Sequence, residues 1–312
     1  MKTDSRRAAG LVLALVMFAC SPGPASAVGV PGPLVEVAWL KSALSDPGLV
    51  ILDLRSGGSG AADFAEAHIP RSVHAPYPGG WRSELGGIVG MLPELKDIAA
   101  HIGSFGVSNA STVVIVPRGS GATEFGAAAR VYWTLKYLGH DDVAILDGGW
   151  NAWSADPSSP AASGPSAASP AAFTARPRPD LLVSTRQVAG ALGTGTLLVD
   201  ARPPEQFAGT AKHPKASRPG HIPGAINVDQ AQFYAADANR LKPRDELSRL
   251  LPRAVKEHDG DIIAYCNTGH WSATDWFVMS EVLGIENVRL YDASMVGWSL
   301  NEYLPIATTV GR

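Results

Sequence analysis

The chain has 312 residues, a formal net charge of −3 and 46% hydrophobic residues, ordinary values for a globular protein. No basic stripe runs along it, which argues against nucleic acid as a partner. The length is a prior for two domains.

At the N-terminus, Lys2, Arg6 and Arg7 precede the apolar run Gly10–Ala19, which is too short to span a bilayer comfortably. Ala25-Ser26-Ala27 then offers a small-residue cleavage site before Val28. Residues 1–27 therefore read as a signal peptide rather than a buried or transmembrane helix. The expected product is an exported, periplasmic protein with no membrane span in its mature form. Ser5-Arg6-Arg7 hints at a twin-arginine signal, although Ala9 stands where a bulky apolar residue is usual. Lipid attachment at Cys20 is the other alternative, and Phe18 fits that signal poorly. Cleavage after Ala27 would leave Cys266 as the sole cysteine of the mature chain. No internal disulfide could form, although an oxidising compartment favours one. A lone thiol there is open to oxidation, and its bland reading is a buried small hydrophobe.

Further along, the chain repeats itself. Leu49-Val50-Ile51-Leu52-Asp53-Leu54-Arg55 answers to Thr196-Leu197-Leu198-Val199-Asp200-Ala201-Arg202, and His68-Ile69-Pro70 answers to His221-Ile222-Pro223. Val113–Val116 matches Ile262–Tyr265, Leu138-Gly139 matches Leu283-Gly284, and Gly149-Trp150 is paired with Gly297-Trp298. Five matches in one order imply two copies, residues 28–153 and 181–312. The stretch between them, 154–180, begins with the proline-, alanine- and serine-rich Ser154–Phe173 and reads as a linker or long surface connection.

Each copy alternates short apolar runs with helical patterns. In the second, Leu197–Asp200, Ile262–Tyr265 and Val288–Tyr291 are strand candidates. Asp245–Leu251 has helical spacing, and Ser272–Leu283 reads as a helix with Trp276, Phe277, Met279, Val282 and Leu283 available for its apolar side. This alternation predicts an α/β fold, with a mostly parallel sheet in each copy covered by helices.

Ligands of such sheets bind where strands end and helices begin. Cys266 stands at that junction, followed by Asn267-Thr268-Gly269-His270-Trp271 and a helix start near Ser272. Gly269 permits a tight reversal. A loop of this form can turn several N–H groups towards one point and favour a negative charge there. A thiolate or persulfide would be stabilised in it.

These residues, with Asp200-Ala201-Arg202, the run Arg218-Pro219-Gly220-His221-Ile222-Pro223-Gly224-Ala225-Ile226-Asn227 and Gly297-Trp298, make the chain resemble the tandem-domain rhodanese sulfurtransferases. The resemblance implies that Cys266 takes a sulfane sulfur from a small donor and passes it to cyanide or a thiol. It implies that the loop residues Asn267, Thr268, Gly269, His270, Trp271 and Ser272 bind the substrate. Arg202 matches a family arginine that helps bind an anionic donor, with a structural ion pair as its other reading. His221 is expected to brace a turn through a ring nitrogen. The first copy has Val116-Pro117 where the second has Tyr265-Cys266, so it lacks the nucleophile and is expected to close one side of the cleft. Trp81 and Arg118 are candidates for that wall.

The family loop often carries cations, and here Asn267 replaces an arginine. Mercaptopyruvate-type members have a serine two residues after the cysteine, which Thr268 could mimic, and an assisting carboxylate that is not evident after His68-Ile69-Pro70. Thiosulfate is therefore favoured over 3-mercaptopyruvate. A phosphatase would need an arginine where Ser272 stands. A non-catalytic binding or sulfur-carrier module is the remaining alternative. No cofactor is called for. One cysteine with scattered histidines has no metal-ligand spacing, and neither Gly57-Gly58-Ser59-Gly60 nor Gly119-Ser120-Gly121 fits a nucleotide fingerprint.

Overall fold

The computed structural model describes residues 28–56 and 60–309. The leader, Cys20 and Gly57-Gly58-Ser59 lie outside the described residues. Among the described residues no helix is long and apolar enough to cross a membrane.

The short apolar runs are strands because they are too brief for helices and bury both faces. In the first domain the order is β1 (Leu34–Val35), α1 (Val37–Ala43), β2 (Leu49–Asp53), α2 (Gly60–Glu66), β3 (Val73–His74), the antiparallel pair β4 (Ser83–Leu85) and β5 (Ile88–Met91), α3 (Leu95–Ser104), β6 (Thr112–Val116), α4 (Ala122–Tyr137), β7 (Val143–Leu146) and α5 (Gly149–Ala155). The second domain runs β8 (Leu182–Val183), α6 (Thr185–Ala191), β9 (Leu197–Asp200), α7 (Pro204–Ala208), β10 (Ile226–Asn227), the antiparallel pair β11 (Tyr234–Ala235) and β12 (Arg240–Leu241), α8 (Arg244–Leu250), α9 (Arg253–Lys256), β13 (Ile262–Tyr265), α10 (Trp271–Trp276), β14 (Val288–Tyr291) and α11 (Ser294–Leu300). After α10 the helix continues through the wider π turns of Phe277–Val282.

Both domains hold a parallel five-stranded sheet, ordered β1-β7-β6-β2-β3 and β8-β14-β13-β9-β10. The two orders are the same, strand for strand, so the sequence repeat is a repeat of topology. Successive strand residues face opposite sides. Val113, Ile115, Val143 and Ile145 enter a core shared with Val199, Ile262, Ala264 and Leu290 of the other domain. Their neighbours Val114, Val116, Ala144 and Leu146 pack outward against Leu40 and Trp153. The shared core is closed by α4 against α10 and its π turns, where Tyr132 meets Phe277 edge-on at 4.9 Å and Phe125 meets it at 5.6 Å. The domains are thus joined by continuous hydrocarbon.

Four of the five sequence matches coincide in structure. Leu138-Gly139 and Leu283-Gly284 both end helices, with Gly139 and Gly284 at φ +84° and +75°, where the absence of a Cβ allows a left-handed cap. The fifth needs correction. Trp298 pairs with Trp153, not Trp150: each is the fifth residue of its helix and donates its indole N–H to a proline carbonyl seven residues on, Pro160 at 2.9 Å and Pro305 at 2.8 Å. Gly149 accordingly matches Ser294, and both have positive φ, +58° and +49°.

The connection between the domains lies along the first of them. Ala162 exchanges backbone bonds with His68, Ala171 N–H reaches Gly103 O, and Arg176 and Arg178 N–H reach Leu138 and Tyr137 O. Phe173 is buried beside His140. These ties make it a strap and not a free tether.

Candidate active site

Cys266 follows β13 directly and is only 1% exposed. Among the described residues it is the free cysteine of the chain. The loop after it has an asymmetry between its carbonyls and its amides. The carbonyl of Cys266 accepts from Met295 N–H and that of Asn267 from Val296 N–H, each at 3.0 Å. The Thr268 carbonyl accepts from the Arg82 guanidinium, and the Gly269 carbonyl from Arg130 Nη1 at 2.9 Å. Four consecutive carbonyls are therefore held by donors. Among the described residues the N–H groups of Asn267, Thr268 and His270 have no acceptor. Cys266 and Gly269 N–H both donate to Ser294 Oγ at 3.1 Å. Ser272 Oγ donates to Cys266 Sγ at 3.6 Å. Carbonyls held by donors beside amides left without acceptors make an arrangement that favours an anion.

Two of the carbonyl donors come from the domain without a nucleophile. Arg130, on α4, is fully buried and pairs with Asp292 at 2.6 Å, while Asp292 accepts Leu92 N–H through its other oxygen at 2.7 Å. Arg82 also donates to Gly90 O and, at 2.9 Å, to Tyr77 Oη. Tyr77 Oη lies 2.9 Å from His270 Nδ1, and His270 Nε2 lies 2.9 Å from Thr123 O. Arg82 can only donate, and Thr123 O can only accept, so Tyr77 donates to Nδ1 and the imidazole proton sits on Nε2. Enclosure between the domains, with Arg82 and then Arg130 adding repulsion, lowers the His270 pKa to about 3. The titratable side chain of the loop is thus a neutral hydrogen-bonding group and not a cation for the donor.

The other expected residues fall as follows. Asn267 is buried and donates to Gln206 Oε1 at 2.8 Å. Thr268 lines a cavity of about 470 Å³ beside the loop, together with Pro78, Arg82, Glu84, Gly90 and His213. Gly269 has φ +73°, and a Cβ there would stand 2.5 Å from both Arg130 and Asp292, so the approach of the ion pair to the backbone requires glycine. Trp271, half-buried, begins α10.

Arg202 is 1% exposed and donates to both Asp200 oxygens, at 2.8 and 2.6 Å, and to Gly220 O at 2.8 Å. Arg55 makes the same pattern in the first domain, on Asp53 and Ala67 O. The pair recurs in the copy that has no nucleophile, and in each domain it ties the end of a strand to the adjoining turn. His221 braces that turn through Nδ1 to Phe207 O at 2.8 Å and stacks on Phe207, as His68 does with Phe64. Trp81 does not reach the cleft. It is buried against His101 and Phe105, while Arg118 pairs with Asp63. The residue that crosses is the next one, Arg82. Sequence reasoning also passed over Tyr77, Arg130, Asp292 and Ser294; the signal available was Asp292 directly after β14, at the strand end where ligand loops gather.

Rhodanese-like domains match the chain at residues 36–156 and again at 184–301. A thiosulfate sulfurtransferase of Corynebacterium glutamicum is 30% identical over 290 residues, covering 89% of this chain and 91% of the relative. The crystal structure of SseA from Escherichia coli, a 3-mercaptopyruvate sulfotransferase, is similar with a TM-score of 0.71 at 26% identity, over 84% of this chain and 98% of SseA. The 3-mercaptopyruvate sulfurtransferase of Leishmania major shares the fold, with a TM-score of 0.72 at 20% identity over 88% of this chain and 76% of that one. Since the family's domain accounts for both halves, and full-length relatives are sulfurtransferases, this chain belongs to the rhodanese family as a tandem-domain sulfurtransferase.

Proposed function

We propose that Cys266 carries the transferred sulfur as a persulfide, and that thiosulfate is preferred to 3-mercaptopyruvate as its donor. The observation that supports this most directly is the loop itself: the carbonyls of residues 266–269 are all engaged, while the N–H groups of Asn267, Thr268 and His270 are open. In the first half-reaction the Cys266 thiolate attacks the sulfane sulfur of thiosulfate. The bond between that sulfur and the sulfonate sulfur breaks, and its electron pair leaves with sulfite. In the second, cyanide or a thiolate attacks the outer sulfur of the persulfide and the Cys266 thiolate departs. Neither half requires a proton, and the cavity beside the loop is lined by Arg82, Glu84 and His213. Burial, and then Lys212 and Lys215, lower the His213 pKa, so the two lysines supply the positive charge on the approach of an anionic donor. Asn267, Thr268 and His270 contribute main-chain donors to this cradle, and Ser272 contributes its hydroxyl.

Intact-mass measurement after exposure to thiosulfate tests the reading. One added sulfur atom is expected on wild type and none on Cys266→Ser, with thiocyanate formed by wild type alone. Equal activity of the two proteins, or none from wild type across several donors, would favour the sulfur-carrier or binding alternative, to which the near-complete burial of Cys266 lends some support. We also propose export with cleavage after Ala27, and the N-terminal mass of secreted protein distinguishes this from lipid attachment at Cys20.

A further inference from the structure

The helix that follows the active loop carries a buried acid for which the sulfur chemistry above has no use. Asp275 is fully buried, and neither carboxyl oxygen has a hydrogen-bond partner. It lies three residues after Ser272 on α10, so the two share one side of the helix, and Ser272 Oγ donates to Cys266 Sγ. The groups that reach it electrostatically are Cys266 at the end of β13, Asp229 before β11 and Asp200 at the end of β9. All three are negative when ionised. Asp200 is already paired with Arg202, and the cation that α4 brings to this region, Arg130, is paired with Asp292. An ionised carboxylate with no donor and no counter-ion is too costly to bury, so the group keeps its proton. Burial first, and then the negative charge of Cys266, raises its pKa well above the usual carboxylate range.

We propose that Asp275 is a positioning residue that works as a neutral acid near Cys266, leaving the sulfur as the one anion of the cradle, and that loss of its proton closes the site to anionic donors. This rests on the reading of Cys266 as the sulfur carrier. With Asp275 ionised, a dianionic donor would approach two negative charges where the loop amides serve one.

The test uses the mature full-length protein. Infrared difference spectra near neutral pH should show the carbonyl stretch of a protonated carboxylic acid in wild type and not in Asp275→Asn. Single-turnover sulfite release from thiosulfate, followed from neutral into alkaline pH, should fall in wild type along an alkaline limb that Asp275→Asn lacks. Alkylation of Cys266 by iodoacetamide, which is uncharged, should show no such limb in either protein. A limb that is the same in both proteins, or a wild-type profile with none, overturns the proposal. If Asp275→Asn does not fold, the wild-type spectrum decides, and absence of the acid band overturns it. Failure of wild type to gain sulfur on Cys266 would instead sink the persulfide reading, and the infrared band would still report the state of Asp275.

Discussion

Arg82 of the first domain donates to the carbonyl of Thr268 in the second, so one domain holds a peptide of the other's active loop. The donor belongs to the half of the molecule that has Pro117 where the other has Cys266. That half lacks the nucleophile and still takes part in the site: with Arg130 on the next carbonyl, it holds the loop whose amides are free.

Arg82→Gln should therefore lower kcat/KM by about a hundredfold, the scale on which small displacements of a reacting group act. Arg82→Lys, which keeps the charge but not the fork, should recover only part of this. Steady-state kinetics and the alkylation rate of Cys266 check it, and both should change together. A loss in thermal stability with unaltered kinetics would make Arg82 a domain tie and nothing more.

Tyr77→Phe removes both the acceptor for Arg82 and the donor to His270 Nδ1. A buried polar group left without its partner costs about 1–3 kcal/mol. A loss in that range on chemical denaturation is expected, together with reduced turnover. In wild type the His270 imidazole should stay neutral, since its pKa is lowered to about 3. NMR should show no titration of its ring protons from about pH 5 to about pH 8, where an unperturbed histidine titrates.

Arg202→Ala should act on stability before it acts on the donor. It leaves Asp200 buried without its cation, a change that costs about 3–5 kcal/mol. Arg55→Ala should produce a loss of similar size from the equivalent pair in the first domain. Denaturant midpoints of the two variants make the comparison. A raised donor KM at unchanged stability would return Arg202 to the donor site.

Asp147 carries a pH dependence away from the chemistry. Burial pushes its pKa up to about 6, with the Arg240 guanidinium 3.5 Å away opposing the shift. A raised folded-state pKa favours the protonated acid, so this stability is present below the unfolded-state value and is lost as pH climbs through about 6. Asp147→Asn should gain on wild type by about 1 kcal/mol at pH 8 relative to pH 4, allowing for the solvent exposure of the group. Melting temperatures at the two pH values measure it.

The sequence by itself determined the two copies, their alternating strands and helices, and the place of Cys266 at a strand end. These are local: runs of four or five apolar residues, a helix-ending glycine and a His-Ile-Pro turn specify themselves wherever they occur. The tertiary structure decided which side chains surround the thiol. Arg82 and Arg130 lie far from Cys266 along the chain, and only the core shared by the two sheets brings them to the carbonyls of Thr268 and Gly269. The same is true of Arg202. One sequence pattern fits a donor clamp or a strut, and only the fold shows that Asp200 and the Gly220 carbonyl stand within reach of its N–H groups.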